Sequence, residues 1–298
     1  MRMIVNILLT MLLVLVMLGY FTLLERKMLS YTQYRKGPNK GVFMGLVQPL
    51  LDGFKLFMKG FKVGVVGGFL GFYTAPMIGL TLVLTVWALY GVFLGSQTQL
   101  HMYWLCLFFA AMTSVLMFIS GLLSSGKYGV MGSVRALAQS LAYEGSLLFI
   151  CLCFMFMSFS SMDLYAFPSL LLIFQVCVIM VSVVMECNRT PIDFVEGESE
   201  IVSGLTTEMG GGSFSLLFLM EYGVMSFYSL FIIYIIMGAN SSIGLVLTLC
   251  LIIMGVMNWL RMTLPRSRYD INLMWGWKFL LVVSFSVLIV GLCMVSWL

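Results

Sequence analysis

At 298 residues, 61% hydrophobic and 9% charged, the chain is far from a soluble domain, in which roughly a quarter of residues are charged. Its formal net charge of +4 is spread over turns between long apolar runs, which excludes a nucleic-acid surface and any nucleic-acid partner. The composition predicts an all-α, polytopic membrane protein forming a single membrane domain over 1–298.

Periodicity says little in helices that are apolar all round, so run length and punctuation set the elements. Arg2 is followed by an uncharged run from Met3 to Leu24, long enough to span a ~30 Å hydrocarbon core. It lacks the short apolar region and small-residue cleavage site of a signal peptide, and it reads as a retained first helix. The loop of about 25–67 is more than a linker. Within it Leu46, Leu50, Phe54 and Phe57 stand near helical spacing, with Lys55, Lys59 and Lys62 interleaved. That pattern predicts an amphipathic helix lying in the interface, with Pro49 in its first turn and ammonium groups at headgroup level. The plainest use of these lysines is a lipid-headgroup anchor. Asp52 would face either solvent or the protein.

From Val63 to Gly126 there is no Asp, Glu, Lys or Arg, and the run is too long for one span. Gly95-Ser-Gln-Thr-Gln99 is its only polar break, giving spans at about 68–92 and 101–122. A loop at about 123–135 leads to a span at 136–158, which carries Glu144, and then to one at 167–186. After a loop at about 187–213 come spans at 214–237, carrying Glu221, and at 243–261, separated by Gly238-Ala-Asn-Ser-Ser242. A loop at about 262–278 precedes the last span, 279–297. The expectation is therefore about eight transmembrane helices with long loops on one side. Fifteen of the sixteen Lys and Arg residues fall in the odd-numbered loops, and only Arg2 lies on the other side. The positive-inside rule puts those loops in the cytoplasm or the mitochondrial matrix, with both termini opposite.

Half of the twelve acidic residues fall between Glu186 and Glu208. Carboxylates between two hydrophobic spans are costly, and neither anchoring nor packing requires them. Thr190-Pro191-Ile192-Asp193 reads as a helix start, with Thr190 as N-cap, Pro191 at N1 and Asp193 at N3. Capping would account for Asp193 but not for Glu196, Glu198 and Glu200 together, whose mutual repulsion favours shared protons. Gly197, Gly204 and Gly210-Gly-Gly212 would loosen the segment. Glu144 and Glu221 lie inside spans, where a carboxylate marks an ion or proton path or is a protonated group satisfied by a hydroxyl. Of seven cysteines, all except Cys187 sit in apolar runs, Cys151-x-Cys153 lacks metal-site spacing, and His101 is the only histidine. These facts argue against a zinc or iron–sulfur site made by this chain alone.

Four motifs carry a resemblance that covers essentially the whole chain. They are GPNKGVFMGLVQPLLDGFKL, VRALAQSLAYE, ECNRTPIDFVEGESEIVSG and LPRSRYD followed by Trp277-Lys278. In this order they resemble the subunit 1 family of NADH–ubiquinone oxidoreductase, respiratory complex I. The resemblance implies a helical subunit that forms the membrane side of a ubiquinone chamber and begins a path of buried carboxylates toward proton-translocating subunits. Ubiquinone would be the substrate, while NADH, FMN and iron–sulfur clusters would belong only to partner subunits. Partners would be the quinone-site subunits of the hydrophilic arm, neighbouring membrane-arm subunits and phospholipids, with cardiolipin a candidate. Carried over by residue, the resemblance implies that Arg26, Arg35 and Phe194 line the ubiquinone channel. It puts Asp193, Glu196, Glu198 and Glu200 at the chamber and its exit. Asp52, Glu144, Glu186, Glu208, Glu221 and Tyr222 would form the carboxylate path, with Arg135 and Arg189 paired to acids.

The chain also departs from the family pattern. Lys59-Gly60 stands where Lys-Glu is usual, Cys187 and Ile192 replace Thr and Phe, and Met209 replaces an aromatic residue. Methionine outnumbers isoleucine 26 to 18, as expected if AUA is read as methionine in an animal mitochondrial code; a bacterial homologue is the alternative. The mitochondrial inner membrane is the location that follows. Two other classes compete: an autonomous secondary ion transporter, for which no repeat is visible, and the membrane anchor of a related hydrogenase.

Overall fold

Long uncharged runs have one way to satisfy every backbone N–H and C=O away from water, short of a closed barrel, and that is to become helices. The computed structural model describes residues 2–39, 44–59, 69–93, 99–124, 126–159, 169–193, 209–237 and 243–297. In chain order the helices are α1 (Arg2–Thr32), α2 (Gln48–Met58), α3 (Phe69–Phe93), α4 (Gln99–Leu122) and α5 (Lys127–Phe159). They continue with α6 (Ser169–Glu186), α7 (Gly211–Met237), α8 (Ile243–Thr263), α9 (Tyr269–Met274) and α10 (Leu281–Trp297), and a π-helical turn, Trp275–Leu280, fuses α9 to α10. No strand occurs among the described residues.

Six helices hold stretches long and apolar enough to cross a membrane: Ile7–Thr32, His101–Leu122, Lys127–Phe156, Gly211–Ile236, Gly244–Thr263 and Tyr269–Cys293. Tyr73–Leu89 and Ile173–Glu186 are shorter apolar helices. These eight coincide with the eight runs read from the sequence, and the chain is an all-α, multi-pass membrane protein.

Several loop boundaries differ from the expectation, toward more helix. α1 continues through Glu25, Arg26 and Lys27 to Thr32, because Glu25 is buried and paired inside the bundle instead of ending the span. α5 starts at Lys127, so Arg135 is helical; it lies over the Tyr269 ring, 5.4 Å from its centroid. The expected 262–278 loop holds α9 and most of the π-helical turn. Tyr143 holds it there by donating its hydroxyl proton to the Asn272 carbonyl at 2.7 Å. Gly276 lies so close to the Tyr143 ring that an added Cβ would approach it to 3.2 Å. Gly211 and Gly212 begin α7. At Gly211 a side chain would collide with the Leu56 carbonyl, so glycine here lets α2 dock on the start of α7.

The core is organised around α7. Of its most apolar window 83% is buried, against 22–56% for the other five long spans. A helix enclosed on all sides must be apolar all round, and its serines fit because each hydroxyl bonds back to its own helix. Ser213, Ser215, Ser226 and Ser229 all donate to the carbonyl three residues earlier at 2.7–3.1 Å. Aromatic rings fill the space towards α4. Phe109 and Phe227 stand 4.5 Å apart between centroids, and Tyr103 meets Phe231 edge-on at 6.1 Å. Small residues admit close approach where hydrophobic drive is weak, as expected in lipid; α3 meets α7 where Val83 packs on Gly223.

α2 confirms the short helix expected at 45–62, with Pro49 in its first turn. Leu50, Phe54 and Phe57 are all exposed, while Lys62 lies outside the described residues.

Candidate functional site: a buried polar line through the bundle

At the end of α1, Arg26 donates to Asp52 of α2 at 2.6 Å. Gln48, one turn before Asp52, donates to its other oxygen at 2.9 Å. Of the two directions open to Asp52, the structure has the one toward α1. Next to Arg26, Glu25 turns inward and is 5% exposed. One of its carboxylate oxygens accepts from the Tyr222 hydroxyl of α7 at 2.7 Å, and the other pairs with Arg261 near the end of α8. Three helices therefore meet on one carboxylate. A buried charge is tolerated only when its lone pairs are used in this way.

The segment after α6 supplies the next member. Gln139 of α5 donates to the Met185 carbonyl at 2.7 Å and pins the end of α6. Residues 189–192 then form a turn about a cis Thr190–Pro191 bond, closed by Ile192 N–H donating to the Arg189 carbonyl at 2.9 Å. This corrects the helix start expected at Thr190. The turn takes up the first backbone donor after the proline, and the Thr190 hydroxyl caps nothing. The backbone that Asp193 was expected to cap lies outside the described residues from 194 onward. Asp193 is buried and pairs with Arg266 at 3.6 Å, while Ser267 clasps the turn by donating its N–H and hydroxyl to the Pro191 carbonyl.

Clamped by that turn, Arg189 points into the bundle. It donates to Glu221 of α7 at 3.1 Å, with only about a tenth of either side chain exposed. Its guanidinium also lies over the Tyr222 ring, 4.3 Å from the centroid, and over the Phe218 ring at 5.4 Å. A planar, weakly hydrated cation suits such a stacked and paired position better than lysine would. Beyond it, Glu221, Glu186, Asn188, Ser114 and Ser140 line a cavity with room for about one water molecule. Glu186 is buried, and its Oε2 has no hydrogen-bond partner. On the far wall Ser114 donates to Glu144 of α5 at 2.9 Å. A hydroxyl can donate or accept, so this contact survives whether Glu144 is ionised or protonated.

The structure thus brings Arg26, Asp52, Tyr222, Arg189, Glu221, Glu186 and Glu144 onto one polar line about α7. Arg35 is exposed beyond the end of α1. Phe194, Glu196, Glu198, Glu200 and Glu208 lie outside the described residues. Glu25, Arg261 and Arg266 went unassigned in the sequence, where the two arginines counted only toward orientation. The one available signal was an acid directly after an apolar run, beside a base, at Glu25-Arg26.

Comparison with known proteins gives the line its context. The family model described as NADH dehydrogenase matches residues 5–292. The chain is 36% identical to NADH-ubiquinone oxidoreductase chain 1 of Anopheles gambiae over 92% of this chain and 90% of that protein. It is 38% identical to the protein of the same name from Heterololigo bleekeri, over 91% of this chain and 90% of that one. With the Artemia franciscana protein of that name it shares 37% over 95% of each. A family match over residues 5–292 and similarity of this extent mean that the chain belongs to the NADH dehydrogenase family.

Proposed function

We propose that the chain is a core membrane subunit of proton-pumping NADH–ubiquinone oxidoreductase, in which it forms part of the ubiquinone chamber and the start of the carboxylate path. The observation that carries this reading is the continuity, in a chain of this family, of a polar line that is open to the surface at Asp52–Arg26 and buried from Glu25 inward. Asp52–Arg26, Glu25–Tyr222, Arg189–Glu221 and Ser114–Glu144 are each joined by contacts of 2.6–3.1 Å. A membrane bundle bears this much enclosed charge at a penalty that packing does not require.

Reducing a quinone to a quinol takes up two electrons and two protons. Acids that give up those protons become charged, and charge in a dry bundle acts on its neighbours. Two unit charges 4 Å apart interact by about 4 kcal/mol at an effective dielectric of 20, enough to move a neighbour's proton equilibrium about a thousandfold. From Glu25 inward the members touch in turn, Glu25 to Tyr222, Tyr222 to Arg189 and Arg189 to Glu221, and Glu221, Glu186 and Ser114 share one cavity. A change of charge at Glu25 is thereby passed toward Glu144 without any single group moving far.

Ubiquinone is the substrate in this reading, and NADH, FMN and the iron–sulfur clusters are held by partner subunits. The roles of Arg26, Arg35, Phe194, Asp193, Glu196, Glu198, Glu200 and Glu208 toward quinone rest on the family resemblance. The location is the mitochondrial inner membrane, with the basic odd-numbered loops in the matrix and both termini on the intermembrane-space side. Lysines near exposed Leu50, Phe54 and Phe57 suit phospholipid headgroups, cardiolipin among them.

Purification from native membranes tests the assignment. The chain should copurify with flavin- and iron–sulfur-containing subunits in a particle that oxidises NADH with ubiquinone. A lone chain that transports ions without NADH oxidation would overturn it and favour a secondary transporter. A particle that oxidises hydrogen instead would favour the hydrogenase anchor.

A further inference from the structure

Glu25 has a second polar neighbourhood, on the side facing α8. There Glu25, Thr190, Asn258 and Arg261 line a separate cavity, again with room for about one water molecule. Asn258 is one turn before Arg261, so their side chains share a face of α8. It is 2% exposed, and its amide nitrogen has no hydrogen-bond partner. The Thr190 hydroxyl, across the cavity on the turn after α6, is also buried and unpartnered. An amide enclosed without a partner costs about 1–3 kcal/mol, and α8 has an alternative face, since only 28% of its apolar window is buried. An asparagine at an inward position beside a buried carboxylate therefore calls for a ligand that satisfies it.

We propose that this cavity binds a water molecule held jointly by Asn258, Thr190 and Glu25, and that Asn258 thereby acts as a positioning residue for the Glu25 carboxylate. Water fits the donor set. It accepts from the Asn258 amide, exchanges a hydrogen bond with the Thr190 hydroxyl and donates to Glu25, meeting the two to four polar partners a buried water requires. Each Glu25 oxygen makes one contact, to Tyr222 or to Arg261, and has a second lone pair to offer. The water fixes the carboxylate from a third direction and links α8 and the 189–192 turn to the polar line. The inference rests on the reading that Glu25 handles charge during turnover, but its binding site is testable apart from that.

The test is a density map of the assembled native enzyme at a resolution that reveals waters, joined to kinetics of Asn258→Leu and Thr190→Val. The expected map has an ordered water within hydrogen-bond reach of Asn258, Thr190 and Glu25, and the Asn258→Leu enzyme lacks it. Each variant should lower kcat roughly fivefold, about the effect of one lost hydrogen bond, with the quinone KM unchanged. A dry cavity in the native enzyme would overturn the water site, whatever the fate of the variants in assembly. A water present in the map with kcat unchanged in both variants would overturn the positioning role. If Glu25→Gln itself left turnover intact, the carboxylate-path reading would fail, while the map would still decide the water site.

Discussion

Replacing Arg189 with leucine is expected to destabilise the bundle by about 3 kcal/mol, within the range measured when one partner of a buried ion pair is removed. The substitution leaves Glu221 charged and enclosed, since its side chain is only 11% exposed. It also removes the cation from the Tyr222 face. Less assembled enzyme on native gels and a lower Tm in detergent would register the loss. Arg189→Lys keeps the charge but loses the planar stack, so a smaller loss of about 1–2 kcal/mol is expected. The double variant Arg189→Leu/Glu221→Leu should recover much of the stability, because an apolar pair replaces a desolvated ionic one. A single leucine variant as stable as the native protein would mean that Glu221 finds another cation.

The second large effect is on catalysis. Glu25→Gln keeps the shape of the side chain and an acceptor for Tyr222 but abolishes the charge facing Arg261 and the capacity to carry a proton. Hydrogen bonds to charged groups contribute about 1.5–3 kcal/mol against about 1 for neutral ones. The expected result is NADH:ubiquinone turnover lowered about tenfold or more. NADH oxidation by a soluble artificial acceptor should be unchanged if, as proposed, that chemistry belongs to partner subunits. Glu25→Asp should restore part of the rate, its charge intact but its reach one methylene shorter. Equal losses with both acceptors would point to failed assembly instead.

The parts of the fold legible in the sequence were those governed by length and solvent. Eight apolar runs gave eight helices because lipid leaves the backbone no other economical choice. Pro49 in the first turn of α2 was legible for a local reason, a missing N–H that is no loss there. Helix ends were harder. Glu25 and Arg26 looked like the start of a loop because charges end apolar runs, but pairing with Tyr222, Arg261 and Asp52 lets the charges stay in a continuing helix. The turn at Thr190 likewise depends on Gln139 and Ser267 from distant elements. Tyr222 and Glu25 are 197 residues apart, and no local pattern encodes that contact. The buried acids were therefore legible one at a time, whereas their partners required the packing of α1, α7 and α8 around each other.

If the polar line couples quinone reduction to proton translocation, as proposed, Glu144 and Glu186 are the residues at which to look for it, because they lie at the inner end of the line, away from Arg26 and Asp52. The measurement is the number of protons moved per electron, together with turnover, for the assembled Glu144→Gln and Glu186→Gln enzymes in sealed vesicles. Ubiquinone-dependent turnover and proton translocation should both fall severalfold while electron entry from NADH is preserved. Native turnover and native proton stoichiometry in both fully assembled variants would contradict that coupling.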